Sequence, residues 1–155
     1  MTQPFLYSVE REFPVKVETL WSAWTNANEL ENWYHPTEFA AAKGATVSDL
    51  HIGGIWACGV DVQAHNFVAY FFGQYTRIEK LTLIEHTMHY TESKADFEAK
   101  DLNTPSHLVV LNFEDRGNNS WVKFSQFGEL PEGEEKRAQA GMESYLDSLS
   151  RHLSK

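Results

Sequence analysis

Hydrophobic and polar residues alternate along Phe5–Phe13 ("FLYSVEREF"), and this two-residue period predicts a first β-strand. The period then lengthens to the three- and four-residue spacing of an amphipathic helix, at Val17, Leu20, Trp21 and Trp24. The next stretch, "NANELENW", predicts a second short helix with Asn26 or Asn28 as its N-cap. We expect Pro36 to end this region, because proline has no amide proton to continue a helix.

From Gly44 onward the pattern is typical of strands. The segments "GATVSDLHI" and "IWACGVDVQ" flank Gly53-Gly54, and paired glycines supply the positive φ of a tight turn, so a hairpin is predicted. "NFVAYFFGQYTRI" is apolar on both faces and predicts a central strand that is at least partly covered on both sides, with "LTLIEHTMHYTE" as its neighbour. "SHLVVLNFEDR" and "SWVKFSQFGEL" flank "GNN" and predict a final hairpin. The polar segment 93–105 predicts a flexible loop.

A long amphipathic helix is predicted after Pro131. One apolar stripe recurs at three- and four-residue steps, at Met142, Tyr145, Leu146, Leu149 and Leu153. Glutamates at its start and basic residues at its end suit the helix dipole. Gly141 lies at the margin of the stripe, so we expect it to face a strand or a cavity rim and to leave room for a neighbouring ring.

The predicted order is a strand, two short helices, about six further antiparallel strands and a long terminal helix. Hairpin-length connections between consecutive strands favour an antiparallel α+β fold, and 155 residues fit one domain spanning residues 1–155. A single sheet of that size must curl. Only the terminal helix is long enough to cover its concave face.

Composition and charge exclude several classes of function. Hydrophobic residues make up 42% of the chain and aromatic residues 14%, which is enough for a sizeable core. The formal charge of −9, with no basic cluster, disfavours nucleic acid and anionic membranes as partners. Neither a signal peptide nor a run of about 20 apolar residues is present, so we expect a soluble, cytoplasmic protein.

The titratable residues form no recognised catalytic or metal-binding motif. Cys58 is the single cysteine, which rules out an intramolecular disulfide and a multi-cysteine metal site. His86 and His89 lie three positions apart on a predicted strand and therefore point to opposite faces. Asp49 and His51 share a face but lack a third ligand. We accordingly predict no metal, no cofactor and no catalytic set, since the HExxH and GxSxG motifs are also absent.

Four motifs in this order resemble the START-like (SRPBCC) superfamily. They are similar to its branch that includes the C-terminal domain of the activator of the ninety-kilodalton heat-shock protein's ATPase. The motifs are "FPVKVETLWSAWTNANELENWYHP", "LHIGGIW", "FFGQYTRIEKLTLIEHTMHY" and "GMESYLDSL". The branch often carries proline at positions 80 and 81, tryptophan at 88 and 142, and histidine at 126. Here these positions hold Lys80, Leu81, Met88, Met142 and Gln126, so the resemblance does not identify a ligand.

The resemblance implies a helix-grip fold, in which a curved antiparallel sheet of about six to seven strands wraps around the C-terminal helix. It also implies that the two short helices plug one end, with Trp33 and Tyr34 at the mouth of a cavity. Tyr34 either lines that cavity or packs in the core. On the strand parity that turns Met88 inward, His86 also faces in, where it is either satisfied by a neighbour such as Gln126 or serves as the polar handle for a ligand.

The leading hypothesis is therefore the binding of a hydrophobic or aromatic small molecule between the sheet and the terminal helix. Pockets of this kind are mostly apolar with a few placed polar groups. The candidate ligand-binding residues are Trp33, Tyr34, Phe39, Trp56, Tyr75, His86, Met88, Gln126, Met142 and Tyr145. Two alternatives stay open: a module that contacts a chaperone, and an enzyme of the START-like superfamily. A homodimer also stays open as the assembly state.

Overall fold

The computed structural model describes residues 3–155. Four helices and eight strands account for most of this range, with a short 3-10 turn at Gln63–His65. In chain order they are β1 (Phe5–Phe13), α1 (Val17–Thr25), α2 (Ala27–Trp33), β2 (Ala40–Ala41), β3 (Val47–Ser48), β4 (Ile55–Val62), β5 (Phe67–Glu79), β6 (Leu83–Thr91), α3 (Lys94–Ala99), β7 (His107–Arg116), β8 (Asn119–Phe127) and α4 (Glu134–Leu153).

All eight strands form one antiparallel sheet in the order β1-β8-β7-β6-β5-β4-β2, and β3 also pairs with β4. The strand total exceeds the six to seven expected because β2 and β3 are two-residue strands at the edge. Both predicted hairpins are present: β3 pairs with β4, and β7 pairs with β8 through a turn at Gly117. In these turns Gly53 and Gly117 adopt φ values of 87° and 77°, which side chains other than glycine rarely accept. The sheet curls around α4, and the architecture is a helix-grip α+β fold.

The short helices α1 and α2 close one end of the curled sheet. The Asn26 side chain accepts hydrogen bonds from the amides of Asn28 and Glu29, so Asn26 is the N-cap of α2. Trp21 of α1 packs edge-on against Phe113 of β7, with ring centroids 5.1 Å apart. This contact lies near the ends of the strands that are remote from Phe5, because Phe13 pairs with Ser120 and Phe5 pairs with Phe127.

The terminal helix α4 covers the concave face of the sheet. Three residues of the predicted stripe are buried, namely Met142, Leu146 and Leu149. Near the middle of α4, the Arg11 guanidinium of β1 donates to Asp147 at 2.7 Å. At its end, the imidazole of His152 lies 3.0 Å from the Glu29 carboxylate of α2. Within residues 3–155, none of the helices is both long and apolar enough to cross a membrane.

The segment 93–105 is not a structureless loop, so the expectation from its polar composition was wrong. Ser93 accepts a hydrogen bond from the Asp96 amide and caps the short helix α3. Phe97 on this helix is buried, and its ring stacks on Tyr70 with centroids 4.4 Å apart. It also meets Phe72 of β5, so α3 covers a second apolar cluster on the outer face of the sheet. Phe97 is the buried residue of α3, and polar residues surround it in the sequence.

Candidate functional site

A cavity of about 960 Å³ lies between the inner face of the sheet and the first half of α4. Strands β1, β5, β6 and β8, the first residue of β7, the segment after α2, and the turns that flank β7 and β8 all contribute to its wall. The lining consists of Gln3, Pro4, Tyr7, Tyr34, Phe71, Met88, Tyr90, Pro105, Ser106, His107, Phe124, Gln126, Gly128, Glu129, Leu130, Ala138, Gly141, Met142 and Tyr145. Most of these side chains are apolar or aromatic, which is typical of sites for small molecules.

The cavity opens at the end of the sheet opposite α1 and α2. Pro4, Pro105 and Glu129 are exposed at that end, whereas Tyr34 and Phe124 are buried at the inner end. Tyr34 is therefore part of the floor, and the expectation that it lies at the mouth was wrong. The short helices close the sheet where β1 ends, and the mouth forms where β1 begins.

A directional chain of hydrogen bonds crosses the cavity wall. The Tyr7 hydroxyl donates to Gln126 Oε1 at 2.7 Å, and Gln126 Nε2 donates to His107 Nδ1 at 2.7 Å. His107 Nε2 then donates to the carbonyl oxygen of Glu129 at 3.1 Å. His107 is neutral in this arrangement because its Nδ1 accepts a hydrogen bond. Burial raises the pKa of the Tyr7 hydroxyl far above its usual range, so Tyr7 remains a donor.

Tyr34 and Tyr145 meet at the floor of the cavity. Their rings pack edge to face, with centroids 4.9 Å apart. Two hydrogen bonds hold the backbone after Tyr34 against α4: the Ser148 hydroxyl donates to the His35 carbonyl at 2.7 Å, and the Thr37 amide donates to the Ser144 hydroxyl at 2.9 Å. Burial raises the pKa of both tyrosines well above the usual range, so both hydroxyls stay protonated.

The cavity brings together five of the ten predicted ligand-binding residues, namely Tyr34, Met88, Gln126, Met142 and Tyr145. Gly141 lies on the lining as well, and the position that its Cβ would occupy has no other atom within 4 Å. The rim position agrees with the prediction, but no ring fills the space beside it. The other five candidates, Trp33, Phe39, Trp56, Tyr75 and His86, are not on the lining.

Three of these five form a closed aromatic cluster beneath the cavity. His86 stacks on Trp56 with centroids 4.1 Å apart, and Tyr75 meets His86 edge-on at 6.0 Å. His86 Nδ1 donates to the carbonyl oxygen of Thr87 at 2.8 Å, so its partner is the backbone and not Gln126. Burial lowers the pKa of His86 to about 4, which leaves the ring neutral. The Tyr75 hydroxyl lies 2.7 Å from the hydroxyl of Ser48.

The remaining two candidates are structural. The indole of Trp33 is buried against Trp24 and donates to the Ala23 carbonyl at 2.8 Å, so it ties α2 to α1. Phe39 is half-buried and packs against the small cluster of Val60 and Val62 at the far edge of the sheet. Neither residue is on the cavity lining, so the expectation that Trp33 lies at the mouth was wrong.

The sequence reasoning missed several lining residues. Phe124 lies two positions before Gln126 on β8 and therefore on the same face, so strand alternation was a signal that could have found it. Tyr7 lies two positions before the buried Val9 on β1 and therefore on the same face of the sheet, so strand alternation could have found it as well. No sequence signal pointed to His107, because its role depends on the turn after β8 that brings the Glu129 carbonyl to it.

The described residues offer little to a metal ion or a nucleophilic mechanism. Residues 3–155 contain no group of three or more His, Cys, Asp or Glu side chains placed to hold a metal. His51 and Asp49 form an exposed pair at 3.0 Å, and His86 and His89 lie on opposite faces of the sheet, against Trp56 and Phe72 respectively. Cys58 is buried, and burial raises the pKa of its thiol.

The sequence profile of the family described as "Activator of Hsp90 ATPase homolog 1-like protein" matches residues 14–154, which is nearly the whole chain. The chain belongs to this family. Among curated proteins, none matches it.

Solved structures share the fold of this family member. The AHSA1 protein from Silicibacter pomeroyi superposes with a TM-score of 0.78 at 18% identity and covers 96% of both chains. A protein from Chromobacterium violaceum gives 0.77 at 15% identity, with 94% of each chain covered. A protein from Staphylococcus epidermidis gives 0.71 at 23% identity, covering 95% of this chain and 88% of its own. At these identities the likeness establishes the fold alone.

Proposed function

We propose that this family member binds a small hydrophobic or aromatic molecule in the cavity between the sheet and α4. The observation that carries this proposal is a space of about 960 Å³ whose floor is buried and whose wall is mostly apolar, interrupted by one ordered chain of polar groups. A space of this size matches known ligand sites, which range from about 300 to 1,000 Å³. Met88, Met142 and Phe124 supply apolar contacts. The hydrogen-bonded chain Tyr7–Gln126–His107 supplies polar groups in fixed positions.

A fluorescence titration tests this proposal with N-phenyl-1-naphthylamine, an uncharged probe that brightens in apolar surroundings. The wild-type protein is expected to bind one equivalent. Gly141→Phe is expected to abolish the signal, because the new ring would occupy the open space at the rim. Ala140→Phe is the matched control, since it adds the same ring to the exposed face of the same helix. Equal binding by all three proteins would place the probe outside the cavity and contradict the proposal.

Native mass spectrometry of freshly purified protein provides an independent test. A retained molecule that is lost in the Gly141→Phe variant would support binding in the cavity. A clean apo mass after gentle purification, together with no probe binding, would contradict it.

A contact with a chaperone is the second candidate, and it rests on the family description together with one surface feature. Leu50 and Ile52 lie on the loop between β3 and β4 and are 38% and 60% exposed, although both are apolar. Contiguous exposed apolar patches mark protein contacts, and these two side chains lie two positions apart on one loop. A pull-down with purified Hsp90 tests the idea. Stoichiometric retention that is lost in a Leu50→Ser/Ile52→Ser variant would support it, and no retention by the wild-type protein would contradict it.

A further inference from the structure

The tyrosine hydroxyls around the cavity differ in how they are satisfied. Tyr7 donates to Gln126, and Tyr90 at the mouth donates to Glu92 at 2.6 Å. Tyr34 and Tyr145, in contrast, have no hydrogen-bond partner for their hydroxyls within residues 3–155. Both hydroxyl oxygens therefore keep some accessible surface, because neither is among the fully buried polar atoms that lack a partner. Because Tyr34 is only 4% exposed and lines the cavity, the space that its hydroxyl reaches is the cavity.

Among residues 3–155, the lining of the cavity offers no side-chain cation that could neutralise an anionic ligand. Lysine and arginine are absent from the lining, and the one carboxylate, Glu129, is exposed at the mouth. The nearest titratable ring, His107, uses Nδ1 as an acceptor and is neutral. Moving an unpaired ion from water to such a place costs far more than moving a neutral polar group. The floor therefore favours an uncharged ligand.

We propose that the ligand is an uncharged, mainly apolar molecule whose carbonyl oxygen accepts hydrogen bonds from the hydroxyls of Tyr34 and Tyr145. This inference rests on the proposed function, because it requires a ligand in the cavity. A carbonyl oxygen has two lone pairs and no proton of its own, so one atom satisfies both donors. An alcohol on the ligand would also need an acceptor for its own hydroxyl proton. The ring centroids are 4.9 Å apart, and both side chains are held by contacts between α4 and the segment after α2.

Three probes that share a naphthalene frame separate the polar requirement from the apolar one. They are 2-acetylnaphthalene, 2-isopropylnaphthalene, which replaces the carbonyl by an alkyl group, and 2-naphthoate, which replaces the methyl ketone by an anion. Each is titrated against the complex of the protein with N-phenyl-1-naphthylamine, and displacement is measured. We expect the ketone to bind about tenfold tighter than the alkyl probe, because each net hydrogen bond contributes a few-fold to tenfold in affinity. We expect naphthoate to bind at least a hundredfold more weakly than the ketone.

Conservative variants assign the effect to the two hydroxyls. Tyr34→Phe and Tyr145→Phe should each reduce the preference for the ketone over the alkyl probe, and the double variant should abolish it. Affinity for 2-isopropylnaphthalene should stay within about twofold, since no apolar surface is lost. Tyr70→Phe is the matched control, because Tyr70 is not on the cavity lining and stacks on Phe97 at the outer face of the sheet, and it should keep the full preference.

The outcomes distinguish this inference from the proposed function. Equal affinity of the wild-type protein for ketone and alkyl probes, or a ketone preference that survives in the double variant, would overturn the inference and leave ligand binding in the cavity intact. Tight binding of naphthoate would overturn it as well. If neither the dye nor any of the three probes binds and native mass spectrometry shows no ligand, the proposed function and this inference both fail.

Discussion

The imidazole of His86 stacks on the indole of Trp56, with ring centroids 4.1 Å apart and planes inclined by 25°. His86 Nδ1 donates to the Thr87 carbonyl, and the ring is 2% exposed. A histidine held in this way is packed as a neutral aromatic ring. The ring lies beneath the floor of the cavity and adds no polar group to the lining.

Acid should therefore destabilise the fold through His86. Burial lowers its pKa from 6.5 to about 4, so the unfolded state binds the proton more readily and stability falls as the pH drops from about 6.5 to 4. At 1.36 kcal/mol per pKa unit, the loss amounts to about 3 kcal/mol. Urea denaturation across this range should show a flatter pH dependence for His86→Phe. A residual slope is expected from His89, whose pKa burial also lowers.

His51→Gln is the control for that experiment, because His51 is exposed and its pKa is raised by the backbone carbonyl of Ile52 and by Asp49. This variant should retain the full loss of stability in acid. Identical slopes in the wild-type and His86→Phe proteins would show that the proton is taken up elsewhere.

The Tyr7–Gln126 hydrogen bond should contribute measurably to stability. Tyr7→Phe leaves Gln126 Oε1 buried without its donor, which should cost about 1–3 kcal/mol in the free energy of unfolding. Gln126→Leu should cost a similar amount, since it strands the Tyr7 hydroxyl. The double variant should be less destabilised than the sum, with a coupling energy of about 0.5–3 kcal/mol. Strict additivity in urea denaturation would argue against the bond, and Tyr90→Phe should change stability by less than about 0.5 kcal/mol.

Phe97 should anchor α3 to the outer face of the sheet. Phe97→Ala removes a buried ring that stacks on Tyr70 and should destabilise the protein by about 3 kcal/mol. Glu98→Ala changes an exposed neighbour on the same helix and should have little effect. Deletion of residues 93–104 should be destabilising for the same reason. A Phe97→Ala variant with wild-type thermal stability would show that the helix does not depend on this contact.

Gly133, the N-cap of α4, and Gly141, inside the same helix, form a matched pair. The Cβ position of each has no other atom within 4 Å, but only Gly133 has a positive φ, of 88°. Gly141→Ala should raise the free energy of unfolding by about 1 kcal/mol through helix propensity. Gly133→Ala should lower it by about 1–2 kcal/mol, because an L-residue is strained in that conformation. Gly141→Leu should cause no overpacking, since its side chain enters open space. Calorimetric unfolding measures all three changes, and destabilisation by Gly141→Ala would contradict the placement of the glycine at the rim.

Strand alternation correctly assigned residues to the two faces of the sheet. His86 and Met88 both point inward, and His89 points outward against Phe72, as the parity of β6 required. Alternation is a local property of the extended backbone, so it can be predicted from a single sequence. The amphipathic stripe of α4 was legible for the same reason, because a helix repeats every 3.6 residues whatever packs against it.

Which inward-facing residues of a strand reach the cavity was decided only by the tertiary structure. His86 lies beneath the floor and Met88 lies on the cavity wall, although two residues of strand separate them by only about 7 Å. That boundary depends on where the rings of Tyr34 and Trp56 fill the space between sheet and helix. The sequence by itself therefore determined the elements and the faces of the sheet that they bury. The position of the open space, its mouth opposite α1 and α2, and the pairing of Gln126 with Tyr7 and His107 depended on how the sheet curls around α4, which no local period encodes.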